Sequence, residues 1–179
     1  DLTAAELLRR LPPDELSSVL KRYGEEPMAR RIARAVAEAL SRGQPLDSTR
    51  QLADLVERVK GGRRGRIHPA TLTFQALRMA VNGELDALEA ALPAALNLLA
   101  PGGRLAVISF HSLEDRMVKQ FMAAHEGRME SLARGGARWA GELPRGRRIG
   151  RRPVGPGEEE VQRNPRARTA KLRVLERMD

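Results

Sequence analysis

His111, Ser112, Glu114 and Asp115 place an imidazole, a hydroxyl and two carboxylates side by side, directly after Phe110. Groups of these kinds accept or donate protons near neutral pH, or hold a polar ligand through directed hydrogen bonds. Their setting matters as much as their types. Pro101-Gly102-Gly103 is a turn signal, and Leu105 to Phe110 is a short apolar run with Val107, Ile108 and Phe110, suited to a strand buried on both faces. Leu113 then opens a helical pattern with Met117, Val118, Phe121 and Met122 on one side. A strand that hands polar residues to a loop ahead of a helix is half of a doubly wound α/β sheet. Ligands of such sheets sit beyond the carboxyl ends of the strands.

Each of these groups also has a local structural reading. His111 can hydrogen-bond a base or a phosphate, or it can cap the helix that follows. Ser112 reads as the N-cap of that helix. Glu114 and Asp115 fall in its first turn, where acids offset the helix dipole. Asp115 beside Arg116 reads as an exposed neighbour pair of little consequence. His68-Pro69 reads as a cap and boundary at a helix start. The three histidines, His68, His111 and His125, lack the spacing of a ligand set, so no metal is expected.

Composition narrows the partners. The 179 residues contain no cysteine, which excludes disulfides and thiolate chemistry. Apolar residues are 41% of the chain but aromatics only 3%, so the core must be built from Leu, Val, Ile, Ala and Met. No apolar run approaches the roughly 18 residues of a membrane span, and the N-terminus is not signal-like, so a cytoplasmic protein without a membrane partner is expected. The net charge of +9 is uneven: residues 133–179 carry a net +7 and residues 83–132 a net −3. Arg145, Arg147, Arg148, Arg151 and Arg152 form a basic stretch in a loop rich in glycine and proline, and Arg63, Arg64 and Arg66 form another. Such stretches suit a polyanion, nucleic acid above all, unless they are simply solvated.

The elements that must position these residues follow from periodicity and caps. Thr3 with Glu6 is a capping box, opening a helix with Leu7, Leu8 and Leu11. Pro12-Pro13-Asp14 starts a second helix, for which Gly24 is the expected C-terminal cap. Met28, Ile32, Val36 and Leu40 share one face of a third. Ser48 or Thr49 caps a fourth, with Leu52, Leu55, Val56 and Val59 inward, and a fifth follows His68-Pro69 with Phe74, Leu77 and Val81 inward. Nothing strand-like separates them, so residues 1–82 read as a helical domain. Residues 83–179 read as α/β, starting with a helix that Pro93 is expected to kink or split. A short strand is expected around Arg148 to Pro153, a helix from Glu158, a turn at Asn164-Pro165, and a final strand at Lys171 to Met178.

Four stretches, in this order and spacing, resemble the bacterial 16S rRNA cytosine-N4 methyltransferases that use S-adenosylmethionine. They are Tyr23-Gly24-Glu25-Glu26 with Arg30-Arg31-Ile32-Ala33; His68-Pro69-Ala70 with Thr73 to Arg78 and Val81-Asn82; Ser109 to Arg116; and Asn164 to Arg168 with Ala170-Lys171-Leu172-Arg173. Leu72, Gln120 and Thr169 depart from the family pattern. The resemblance implies the C-terminal part of a Rossmann-like methyltransferase sheet, with an α-helical insertion domain that recognises substrate.

Family members carry about a hundred more residues at the front, with the glycine-rich loop and the acidic residue that hold the cofactor. The chain therefore reads as a part of such a protein. On its own it is expected to be inactive and to hold no S-adenosylmethionine. The implied reaction is attack of the exocyclic N4 of a cytosine on the sulfonium methyl, which requires alignment of the pair and extraction of the base. The implied partner is 16S rRNA in the small ribosomal subunit, with a second copy of the chain as a further candidate. The RNA-facing candidates are His68, Arg78, His111, Ser112, Glu114, Arg147, Arg148, Asn164, Arg166 and Arg168, and none is assigned as catalytic. A non-catalytic RNA-binding module is the alternative.

Overall fold

A computed structural model describes residues 2–63, 65 and 67–178, so Arg64 and Arg66 lie outside the described residues. The chain forms two compact units, Asp1–Glu84 and Leu85–Asp179. The architecture is helix-rich α/β with small antiparallel sheets.

The first unit is all helix: α1 (Ala4–Arg10), α2 (Pro13–Gly24), α3 (Ala29–Ser41), α4 (Thr49–Val59) and α5 (Thr71–Asn82). Two starts are fixed by capping boxes. Thr3 Oγ1 accepts from the Glu6 amide at 3.2 Å while the Glu6 carboxylate accepts from the Thr3 amide at 2.8 Å, and Ser48 and Gln51 repeat the arrangement at α4. Apolar residues at helical spacing then meet in one core, where Leu16, Leu20, Ile32, Val36, Val56 and Leu77 are almost fully buried.

Gly24 is not the cap expected of it. The left-handed position belongs to Glu25 (φ 50°), whose amide donates to the Leu20 and Lys21 carbonyls. Gly24 is needed for contact instead: a Cβ there would stand 2.4 Å from the Leu72 carbonyl oxygen, where α2 presses on α5. Gly24→Ala should therefore cost about 1–3 kcal/mol by overpacking. Urea unfolding followed by helical circular dichroism is the measurement, and an unchanged midpoint would refute it.

Just beyond this contact lies a buried ion pair. The Glu26 side chain is fully buried, and its Oε2 accepts from Lys60 Nζ at 2.7 Å and from Thr73 Oγ1 at 3.2 Å. Its Oε1 accepts from the Met28 amide at 3.2 Å, and Lys60 Nζ also donates to the Pro69 carbonyl at 2.6 Å. One carboxylate thus joins the turn before α3, the end of α4 and the body of α5.

The second unit contains α6 (Glu84–Leu98, whose first residue closes the first unit), β1 (Arg104–Ser109), α7 (Ser112–Glu126), β2 (Arg128–Ser131), β3 (Ala137–Ala140), β4 (Gly146–Arg148), α8 (Glu158–Arg163) and β5 (Lys171–Arg177). Helix α6 runs unbroken through Pro93, so of the expected kink or split the split does not occur. Pro93 and Glu89 are both exposed, so water can take the hydrogen bond that proline cannot make. The main sheet has the order β1-β5-β4, and both outer strands run antiparallel to β5. Leu105 pairs with Leu175, and Ile108 with Leu172.

Strand β1 is not buried on both faces. Leu105 and Val107 pack with Leu92, Leu96, Val118, Met122 and Leu175, whereas Arg104, Ala106 and Ile108 point outward, Ile108 at 60% exposure. The alternation is that of a strand with one covered face. Beside α7, β2 and β3 form a hairpin that nothing in the sequence pattern marked, with Met129 opposite Trp139. The short strand expected near Arg148–Pro153 lies earlier, at Gly146–Arg148, and Val154 adds an isolated bridge to Leu172.

Candidate nucleic-acid interface

The junction from β1 to α7 shows how the polar cluster is held. His111, not Ser112, is the N-cap of α7: its Nδ1 accepts from the Glu114 amide at 3.3 Å. The Glu114 carboxylate returns to the other side, accepting from the amides of Phe110 at 2.8 Å and His111 at 3.2 Å. This is a capping box with histidine in the serine position, and Ser112 becomes the first helical residue. His111 Nε2 is buried and lies 3.1 Å from Glu114 Oε1 without the alignment of a hydrogen bond. Burial pushes the Glu114 carboxyl up, but the His111 side chain and the Phe110 amide outweigh it and hold the group below its ordinary value.

Asp115 departs furthest from expectation. It is buried rather than an exposed neighbour of Arg116. Its carboxylate accepts from Arg173 at 2.7 and 3.2 Å and from Lys171 at 3.2 Å, tying the first turn of α7 to β5. The Arg173 guanidinium, then burial opposing it, then Lys171 set its carboxyl below the usual value. Val107, opposite Arg173 in the sheet, lies on the covered face of β1.

The basic stretch divides into two kinds of arginine. Arg147 and Arg148 lie on β4 and are paired within the unit. Arg147 donates to Glu176 at 2.5 Å, and Arg148 donates to Glu126 at 2.5 Å. Arg104 shares Glu176 at 3.0 Å, and the two guanidiniums, Arg104 first, lower that carboxyl's pKa. Arg145 stacks over Trp139, 5.1 Å from the ring centre. Arg151 and Arg152 follow in an exposed segment with no ion-pair partner among the described residues.

Asn164, Arg166 and Arg168 belong to a 3-10 turn (Pro165–Thr169) anchored by buried Ala167. Asn164 Oδ1 accepts from the Arg166 amide at 3.2 Å. Both arginines are exposed and have no partner among the described residues. In the helical unit, His68 Nδ1 accepts from the Ala70 amide at 3.1 Å, shaping the turn before α5. Arg78 is held by Glu84 at 2.9 Å. The second unit thus gathers His111, Ser112 and Glu114 at the end of β1, and the 3-10 turn with its two arginines just ahead of β5. His68 and Arg78 lie on the other unit.

Sequence reasoning passed over Glu26, Lys60 and the Asp115 network. The binding partners lie 34 to 58 residues apart, so no local spacing marks them. Trp139 is the chain's single tryptophan. Glycine at 127 and 141 lets its ring lie close against the chain, where a Cβ at Gly127 would sit 2.4 Å from it.

S-adenosylmethionine, implied by the resemblance, needs a glycine-bearing turn from a strand into an open helix N-terminus. Gly102 and Gly103 instead close β1 against the end of β5: the Gly102 amide donates to the Arg177 carbonyl at 2.7 Å, and the Gly103 carbonyl accepts from the Arg177 amide at 2.8 Å. At the turn from β1 into α7, the Glu114 carboxylate already fills the helix start. The described residues do not fit the cofactor.

A family model described as the MraW methylase family matches residues 1–178. The chain is 50% identical, over 186 aligned positions, to a protein of Dehalococcoides mccartyi named ribosomal RNA small subunit methyltransferase H, covering 99% of this chain and 50% of that one. Proteins of the same name from Thermomicrobium roseum and Nitrobacter winogradskyi are 50% and 49% identical over 175 and 181 positions. They cover 98% and 99% of this chain and 53% of each relative. The chain spans about half the length of the curated relatives it matches.

Proposed function

Because the chain belongs to the MraW methylase family, we propose that it is part of an enzyme that methylates ribosomal RNA of the small subunit. The methylated atom is the exocyclic N4 of a cytosine in 16S rRNA, and the methyl donor is S-adenosylmethionine held by residues outside this chain. Residues 1–82 act as the helical substrate-recognition domain and residues 83–179 as the C-terminal part of the catalytic α/β domain. The cytoplasm, where ribosomes are made, is its place of work. No helix among the described residues is long and apolar enough to cross a membrane.

The observation that carries this reading is identity near 50% along almost the whole chain with proteins named for small-subunit rRNA methylation. Exposed Ile108 on edge strand β1, and exposed Phe110 just past its end, fit a sheet that continues beyond β1, as a methyltransferase sheet would. In this assignment, the chain's own residues bind and orient the substrate. Exposed Arg151, Arg152, Arg166 and Arg168 meet phosphates, and His111 with Ser112 presents polar groups at the end of β1.

A chimera tests the reading. This chain, put in place of the matching half of the Thermomicrobium roseum relative, should yield N4-methylcytidine in nucleoside digests of small-subunit rRNA treated with S-adenosylmethionine. A folded chimera that binds the rRNA and leaves cytidine unmodified, or methylates another base, overturns it. The misfit of the cofactor favours a second reading for the chain alone, a non-catalytic RNA-binding module. Calorimetry of the isolated chain with S-adenosylmethionine should then show no heat of binding, and micromolar affinity would reject that reading.

The two kinds of arginine should also behave differently. Phosphate contacts release counterions, so Arg151→Ala/Arg152→Ala should reduce the slope of log affinity against log salt by about two on rRNA. Arg147→Ala/Arg148→Ala should instead unsettle β4 and leave most of that slope in place, because both side chains already neutralise carboxylates. Filter binding across a salt series measures both. Equal slopes for Arg151→Ala/Arg152→Ala and the unaltered chain would remove these residues from the interface.

A further inference from the structure

An open pocket of about 310 Å³ lies between the starts of α4 and α5, wholly within the helical unit. Its size is at the lower end of the roughly 300–1,000 Å³ found for small-ligand sites. Ala53 and Phe74 give it apolar walls, and Thr49, Arg50, His68 and Thr71 surround these with polar groups. Phe74 packs against the helical core and is still half-buried rather than covered, because part of its ring lines the pocket. The His68 imidazole lines the same pocket, yet the two rings make no contact with each other. Two separate aromatic surfaces on one pocket suit a flat guest that stacks.

The hydrogen-bonding groups narrow the guest further. His68 Nδ1 accepts from the Ala70 amide at 3.1 Å, so the neutral ring carries its proton on Nε2. That donor lies 3.8 Å from Glu57 Oε2, beyond hydrogen-bond range. A donor and an acceptor set side by side, too far apart to satisfy each other, match a base edge on which a ring nitrogen adjoins an exocyclic amine. Cytosine and adenine have that edge, whereas uracil has no amine. Arg50, exposed at the rim with no ion-pair partner among the described residues, supplies a positive charge for a phosphate.

We propose that this pocket holds one unpaired cytosine or adenine of an RNA strand. The base stacks on Phe74, its ring nitrogen accepts from His68 Nε2, its amine donates to Glu57, and Arg50 meets the adjoining phosphate. The RNA source rests on the substrate assigned above, whereas the preference for an amine-bearing base rests on the pocket alone. The site deepens that reading by giving the helical unit a base-reading contact besides phosphate contacts, which carry no sequence information.

The test titrates the intact, isotope-labelled chain with hexacytidylate, hexauridylate and cytidine monophosphate. Hexacytidylate should shift the Phe74 and His68 ring signals saturably and give nuclear Overhauser contacts between base and Phe74 ring protons. Hexauridylate should bind roughly fivefold or more weakly, the discrimination of one well-formed pair of base contacts. Phe74→Leu keeps an apolar side chain against the core and should weaken hexacytidylate binding roughly five- to a hundredfold, the range of base–aromatic stacking. Glu57→Gln, whose amide can serve either base, should remove most of the preference for cytosine over uracil. Ring signals that stay still in the unaltered chain overturn the pocket, whatever the variants do. Equal affinity for the two hexamers overturns the edge contacts of His68 and Glu57. Cytidine monophosphate binding as tightly as the hexamer overturns the RNA strand as the source and leaves the rRNA reading to stand or fall on the chimera.

Discussion

Glu26→Ala should lower the unfolding free energy of the helical unit by about 3–5 kcal/mol, the cost of breaking a buried ion pair by removing one partner. The carboxylate is fully buried and satisfies the Lys60 ammonium, the Thr73 hydroxyl and the Met28 amide. Without it, Lys60, only 16% exposed at its side chain, still donates to the Pro69 carbonyl at 2.6 Å but loses its counter-charge. Glu26→Gln keeps an acceptor in place and should cost less, about 1.5–3 kcal/mol, as befits hydrogen bonds made to a charged group. Urea unfolding followed by helical circular dichroism measures the loss. Trp139 emission, from the chain's single tryptophan, is the control on the other unit. A loss below about 1 kcal/mol for Glu26→Ala would mean that water reaches Lys60 freely and that the pair is not a structural anchor.

The helical unit was open to sequence reasoning because its determinants are local. Apolar residues at i, i+4 and i+7, and caps such as Thr3 with Glu6, act within a turn or two, and the helices lie where those signals put them. Strand β5 was legible for the same reason, since Leu172, Val174 and Leu175 stand out among charges. What spacing could not reveal is set by distant partners. Asp115 beside Arg116 looks like surface charge until β5, more than 50 residues on, brings Arg173 to it. Arg147 and Arg148 look like loop cations until β4 aligns them with Glu176 and Glu126.

The hairpin β2–β3 escaped for another reason. Its strands are four residues each, carry arginine and glutamate, and meet through Gly135 and Gly136 at positive φ, so composition alone reads as loop. At the candidate site, the histidine cap was legible only as one of two readings of His111, beside a serine that looked the better cap. A capping box is recognised by serine or threonine, and an imidazole that accepts the same amide leaves no such mark.

Asp115→Ala should destabilise the second unit by about 3 kcal/mol near neutral pH, because Arg173 would be left with its guanidinium buried and unpaired. The pH dependence identifies the cause. The Arg173 hydrogen bonds hold the Asp115 carboxyl below its ordinary value of 3.8 in the folded chain, so the unfolded chain binds more protons across that range. The stabilisation is therefore present in full above the unfolded value and is lost as pH falls through the lower folded value. The gap in stability between the unaltered chain and Asp115→Ala should stay constant from about pH 5 to pH 8 and narrow below about pH 4. Glu114 and Glu176 are shifted in the same direction and will steepen the acid limb of both proteins, so only the difference between them reports Asp115. Asp115 also pins the first turn of α7, so its loss should free His111 and Phe110, seen as faster exchange of the Phe110, His111 and Glu114 amides. A gap that persists undiminished at low pH would assign the effect to packing and remove the ion pair as the tie between α7 and β5.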